Sequence, residues 1–216
     1  MFSQGIVIAL LQFPLIAAGF PMADTLLNSV DNALGFDWNR FAARFNSPLP
    51  LDLLAFAYRS MTWQALLALA LLSIGREIDR AWRLVTASLV ALMITASIFV
   101  FFPADGSLAL CGQSDVPVYG NYCAYQSLIR QVNSGAVVAV DRSMQIGMVS
   151  FPSFHTSAAI LLAWAVWPFR LLRWPSVALN IAMIVGTIVI GSHYLIDILG
   201  GIAVAIAAIA LAKRWV

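Results

Sequence analysis

The chain holds two histidines, and both sit where a histidine can do chemistry. His155 lies in Ser150-Phe151-Pro152-Ser153-Phe154-His155-Thr156, and His193 in Gly191-Ser192-His193-Tyr194-Leu195-Ile196-Asp197. Imidazole is the side chain best suited to act as nucleophile, base or acid near neutral pH. His193 and Asp197 are four positions apart, so a helix through them places both on one face. A carboxylate there can accept a hydrogen bond from one ring nitrogen, which fixes the tautomer and leaves the other nitrogen as a nucleophile. The plainer alternative is an N-terminal helical turn in which Asp197 only complements the helix dipole.

Pro152 and Ser153 mark a helix start just before His155. Ser153 can serve simply as its N-cap. A helix N-terminus also binds phosphate through free backbone N–H groups. The same turn can therefore cradle a phosphate and present His155 as proton donor to a leaving oxygen, a role worth about two to four orders of magnitude in rate. Phosphoryl transfer needs positive charge around the phosphate oxygens. Arg130 and Arg142, then Arg59, are the basic candidates on the same side as the histidines; Ser153 and Ser192 complete the expected phosphate-binding set. Against this, Arg130 and Arg142 can be ordinary loop arginines at lipid head groups, and Arg59 can snorkel to an interface from a helix end.

The elements that must carry these residues are apolar. Of 216 residues, 62% are hydrophobic and 10% charged, whereas soluble domains carry about 25% charged residues. This composition implies an integral membrane protein. A net charge of +2 gives no argument for nucleic acid or for an acidic partner. A spanning helix needs about 20 mostly apolar residues. Six candidate spans emerge at 4–20, 52–75, 82–103, 155–170, 176–192 and 193–212. The first contains Pro14, and the last two join almost without a break. The apolar run from Gly5 to Phe20 has no basic residue before it, so it reads as a retained segment and not as a cleaved signal.

Between the first two candidates, Leu26, Leu27, Val30, Leu34, Phe41 and Phe45 recur at mostly helical spacing, with Asp31, Asp37, Arg40 and Arg44 among them. Pro21 to Pro50 is expected either as an amphipathic stretch on the membrane surface or as a plain connecting loop. Basic residues set the orientation. With the N-terminus inside, the short inner segments hold Arg76, Arg80, Arg83, Arg170, Arg173, Lys213 and Arg214, while Arg40, Arg44, Arg130 and Arg142 are spread over longer outer ones. Both termini are then cytoplasmic, and both histidines fall at the outer face. The long loop from Ala104 to Ser150 also faces outward. Its Cys111 and Cys123 can pair in an oxidising compartment or remain free thiols. Two cysteines without nearby histidines do not complete a metal shell.

Pro-Ser-x-His-Thr followed by Gly-x-His-Tyr-x-x-Asp resembles the type 2 phosphatidic acid phosphatase superfamily. That resemblance implies an all-α, polytopic membrane bundle of about six helices with no cofactor and no metal. It also implies cleavage or transfer of lipid phosphate esters, with His155 as general acid, His193 as the nucleophile that becomes phosphohistidine, and Asp197 as its partner. The full motif strings, together with Asp31 to Trp38 and Tyr58-Arg59-Ser60, are most similar to the branch containing inositol phosphorylceramide synthase and its bacterial relatives. The chain departs from the family pattern in three ways. The first motif needs a lysine, and the one lysine here is Lys213. The arginine usually six residues before the nucleophile is Thr187, and the glycine usual before the general acid is Phe154.

One domain over residues 1–216 is expected. It would be embedded in a bacterial inner membrane, with a membrane lipid phosphate as substrate and the bilayer as its surroundings. Water as acceptor makes it a phosphatase, and another alcohol makes it a head-group transferase. From another class, a non-catalytic transporter or assembly partner would explain the spans. It would not explain why the only two histidines both sit in motif-like contexts on one face.

Overall fold

The sequence's apolar runs become helices, and small residues let those helices approach closely. The structure, a computed structural model, describes residues 19–107, 126–127, 130–136 and 151–215. Among them the chain is helical, with no strand: α1 (Asp24–Ala33), α2 (Trp38–Ala42) running into a 3-10 turn at Ala43–Phe45, α3 (Pro48–Arg59), α4 (Met61–Ile74), α5 (Ile78–Phe101), α6 (Phe154–Val166), α7 (Arg173–Val189) and α8 (Leu195–Trp215). Residues 130–133 are also helical.

Two of the six expected spans become single helices long and apolar enough to cross a membrane, α5 and α8. Helices α4, α6 and α7 are apolar but shorter. The candidate span 4–20, the pair Cys111 and Cys123, and Arg142 lie outside the described residues. The expected span 52–75 is corrected to two helices meeting at Ser60. The Ser60 hydroxyl donates to the Ala57 carbonyl at 2.7 Å and accepts from Gln64 Nε2 at 2.9 Å. Gln64 Oε1 in turn accepts from Asn180 Nδ2 on α7 at 2.9 Å, so the joint is tied across the bundle. A serine bonding back into its own helix bends it.

The bundle core lies among α4, α5, α6 and α8, built from Leu72, Leu84, Ala87, Ala91, Leu161, Ala165 and Ala208. Alanines there allow the close approach that packing between apolar helices requires. Helix α8 approaches the start of α6 closely at Gly201. A Cβ on Gly201 would lie 2.5 Å from the Ser153 carbonyl oxygen and 2.8 Å from Thr156 Cβ. Only glycine fits, and the Ser157 hydroxyl donates to the Gly201 carbonyl at 2.8 Å.

Pro21–Pro50 is largely helical and not a plain loop, with Asp37, Arg40 and Arg44 exposed, but it does not keep every acid in water. Leu27 is buried as expected, but Leu26 and Leu34 are exposed. Asp24 and Asp31 are both buried, at 4% and 2% exposure. The Trp38 indole donates to the Ile188 carbonyl at 3.1 Å and fastens α2 to α7.

Candidate active site

His193 sits in the five-residue connection Ile190–Tyr194 between α7 and α8. Ser192 takes a left-handed backbone conformation there, with φ +58°. The His193 N–H reaches the Thr187 carbonyl at 3.3 Å, and His193 Nδ1 lies 3.0 Å from Asp197 Oδ2. That oxygen also accepts the Tyr194 N–H at 3.1 Å. Asp197 is fully buried and His193 nearly so. An Nδ1–H donated to the carboxylate leaves Nε2 as the lone-pair nitrogen. The contact is local, but it spans the start of α8: His193 lies in the turn before the helix and Asp197 in its first turn, so the pair does not share one face of a helix as the spacing suggested.

His155 lies in the first turn of α6, whose N-cap Ser153 accepts the Thr156 N–H at 3.3 Å. The Ser153 N–H donates to the Asp197 carbonyl at 3.0 Å. One backbone bond therefore joins the turn carrying His155 to the turn carrying the partner of His193. The Tyr58 ring links the two histidines: it stacks on His155 with centroids 4.2 Å apart, and a Cβ built on Gly191 would lie 3.1 Å from Tyr58 Cε2 and 3.2 Å from His193 Cδ2.

Acidic groups on α1 hold this end of the bundle together. Asp31 accepts the Leu195 and Ile196 N–H groups at 2.7 and 2.9 Å, satisfying the open N-terminus of α8 from a different helix. Asp24 accepts the Asp105 and Gly106 N–H groups at 3.1 and 3.0 Å and the Tyr194 hydroxyl at 3.0 Å. Burial, and then the charge of Asp105, push the Asp24 carboxyl up to about 7 against the pull of these donors. Burial also raises Asp31, against its two N–H donors. Among the described residues, no group of three metal-ligating side chains is gathered.

A sequence model of the PAP2 superfamily matches residues 25–211. The chain belongs to the PAP2 superfamily. The match runs from α1 through nearly all of α8, so it covers both histidine turns and the acidic helix that braces them. Members are generally phosphatases, which suggests activity on phosphate esters in that broad form. No curated protein and no solved structure matches the chain.

The other residues expected at a PAP2 phosphate site are placed unevenly. Arg130 is bonded to buried Asp105, Nε to Oδ2 at 2.5 Å, with its side chain 55% exposed. The segment carrying Asp105 docks on the histidine turn, because the Ser107 N–H reaches the Ser192 carbonyl at 2.9 Å and its hydroxyl at 3.1 Å. Arg130 is thereby anchored beside the site through Asp105. Arg59 ends α3 and is exposed. Ser153 and Ser192 are fully buried, and their hydroxyls hold protein groups: the first caps α6 and the second receives Ser107. Thr187, which replaces the usual arginine, is buried and donates to the Met183 carbonyl at 2.8 Å.

Sequence reasoning missed Asp24, Tyr194 as a hydroxyl donor, and Tyr58. It placed Asp31 among water-facing residues. Tyr58 stacks on His155 with ring centroids 4.2 Å apart and planes 14° from parallel. A signal was present for two of them: Asp31 and Tyr58 fall in the two short stretches, outside the histidine motifs, that resemble the inositol phosphorylceramide synthase branch.

Proposed function

We propose that the chain is a membrane-embedded lipid phosphatase or phosphotransferase working through a phosphohistidine on His193. The observation that carries this is the buried His193–Asp197 pair, 3.0 Å apart and joined by backbone to the turn of His155. Nε2 of His193 attacks phosphorus as the bond to the leaving oxygen breaks. His155 gives that oxygen its proton. Deprotonated His155 then takes a proton from water or an alcohol, which attacks phosphorus and frees His193. Asp197 holds the tautomer and balances the charge that develops on the ring. Arg130, and Arg142 from the outer loop, supply positive charge to the phosphate oxygens, with Arg59 next in line.

A lipid substrate is supported by the surface. Only 33% of the most apolar stretch of α5 and 39% of that of α8 are buried inside the protein, so much of each is left for hydrocarbon. Leu66, Leu67, Met93 and Ile206 are exposed. Both histidines sit at helix starts, whereas Arg170, Lys213 and Arg214 fall at the opposite ends of the same helices. By the positive-inside rule the site then faces the extracytoplasmic side of an inner membrane. The motif strings favour a member close to the inositol phosphorylceramide synthase branch, whose acceptor is an alcohol.

The test is turnover by purified protein in detergent. Phosphatidic acid, phosphatidylinositol and a prenyl phosphate are supplied with and without an added alcohol. Release of inorganic phosphate marks hydrolysis, and appearance of a new phosphoester marks transfer. Loss of both in His193→Ala and retention of folded protein are expected. Unchanged turnover in that variant would overturn the proposal.

A further inference from the structure

Tyr58 is brought to the histidines by the break at Ser60. Helix α3 packs on α7 and α6 through Ala57, Met183 and Ala159, all essentially inaccessible. This places the residue after Ala57 over the site. Its ring lies nearly parallel to that of His155, with centroids 4.2 Å apart. The same ring reaches the other histidine's turn. A Cβ built on Gly191 would lie 3.1 Å from Tyr58 Cε2 and 3.2 Å from His193 Cδ2. The same Cβ would lie 2.6 Å from the Thr187 carbonyl oxygen, so the backbone already demands glycine at 191, and the phenol ring and the nucleophile's ring meet over it. The Gln64–Asn180 bond beyond Ser60 holds the joint from the other side.

A histidine ring needs such a neighbour. The torsion that turns the imidazole plane is broad and weakly restrained by the side chain itself. A general acid works only when its proton points at the leaving oxygen, and misplacement by about 1 Å can cost about 100-fold in rate. Stacked aromatic rings resist rotation out of plane, and a phenol face is also a good neighbour for an imidazolium.

We propose that Tyr58 is a positioning residue that holds the His155 imidazole in the plane from which it protonates the leaving group; this rests on His155 being the general acid. Tyr58 itself transfers no proton. Its ring is what matters, so phenylalanine can replace it and an aliphatic side chain cannot.

The experiment compares two substrates in mixed micelles. Phosphatidic acid has an alkoxide leaving group that needs a proton. p-Nitrophenyl phosphate has one that does not. All comparisons are of the rate at which His193 is phosphorylated, read as the first-turnover burst, because His155 also serves as base when the phosphohistidine breaks down. Tyr58→Leu should lose about 10- to 100-fold in this rate with phosphatidic acid and stay nearly unchanged with the aryl ester. Tyr58→Phe should recover most of the loss. In a His155→Ala background, Tyr58→Leu should cost nothing more. Equal losses on both esters, an additive loss in the double variant, or Tyr58→Phe as poor as Tyr58→Leu would each overturn the positioning role. His155→Ala alone separates the two levels: if it falls equally on both esters, the general-acid assignment itself fails, and with it the role of Tyr58. Should Tyr58→Leu not accumulate as folded protein, Tyr58→Met carries the same comparison.

Discussion

The Asp31 carboxylate accepts the Leu195 N–H at 2.7 Å across 164 positions of sequence. It closes the N-terminus of α8, the helix whose first turn carries Asp197. A buried N–H left without its acceptor costs about 1–3 kcal/mol, and Asp31 serves two of them. Asp31→Ala should therefore lower the melting temperature and the activity together, because the first turn of α8 frays under His193. Asp31→Asn, which keeps an acceptor oxygen, should lose less. A melting curve unchanged in Asp31→Ala would show that the cap contributes nothing.

Asp197→Asn should preserve the fold and remove the carboxylate that fixes the His193 tautomer. The expected loss in kcat is on the order of 10²- to 10⁴-fold, with melting close to that of the parent. Substrate binding, read as the Kd of a non-hydrolysable phosphonate lipid, should change little. A loss confined to binding would contradict the role given to Asp197.

The contrast between these two aspartates shows what the sequence carried and what it did not. The His193–Asp197 contact is local, four residues apart across the start of α8, so the spacing anticipates the pair although His193 lies just outside the helix. Ser153 as cap of α6 is equally local. The apolar runs of α5 and α8 are long enough to be read as helices directly. Asp31 was placed in water because an acid between apolar positions of an amphipathic stretch ordinarily faces out. Nothing local announces that it caps a helix far along the chain. The same holds for Tyr58 on His155 and for Asp24 under the Asp105–Gly106 turn. Ser60 breaks an apolar run that has no proline or glycine near it, so hydropathy reads straight through. Arg130 was expected at the phosphate. Its bond to Asp105 joins residues 25 positions apart, which spacing does not encode.

Asp24 gives a pH dependence with a definite sign. Its carboxyl is pushed up to about 7 in the folded chain, from an ordinary value of 3.8, because burial and the Asp105 charge disfavour ionisation. The folded state thus binds the proton more tightly than the unfolded state. The stability this contributes is full below about pH 4 and is lost as pH rises through about 7. The difference in melting temperature between the parent and Asp24→Asn should therefore shift steadily against the parent from pH 4 to pH 8. A difference independent of pH would show that Asp24 is ionised throughout.

Activity should survive EDTA. The acidic side chains around the site are already engaged by protein donors: Asp24 by Asp105, Gly106 and Tyr194, Asp31 by Leu195 and Ile196, Asp105 by Arg130, and Asp197 by His193 and Tyr194. Recruiting Mg²⁺ would require several oxygen ligands to be released from those bonds. Loss of turnover on chelation, restored by added Mg²⁺, would mean that the phosphate is neutralised by a metal and not by arginine.

The most direct measurement is the identity of the phosphorylated residue during turnover. The purified protein is mixed with ³²P-labelled phosphatidic acid, phosphatidylinositol or a prenyl phosphate, quenched in alkali within the first turnovers, and digested for mass spectrometry. The account predicts an acid-labile phosphate or phosphoalcohol on the peptide containing His193 with whichever substrate is turned over. It should be absent in His193→Ala and slower to form from alkyl esters in His155→Ala. Turnover with no label on His193, or label on His155 or on a carboxylate instead, would contradict it.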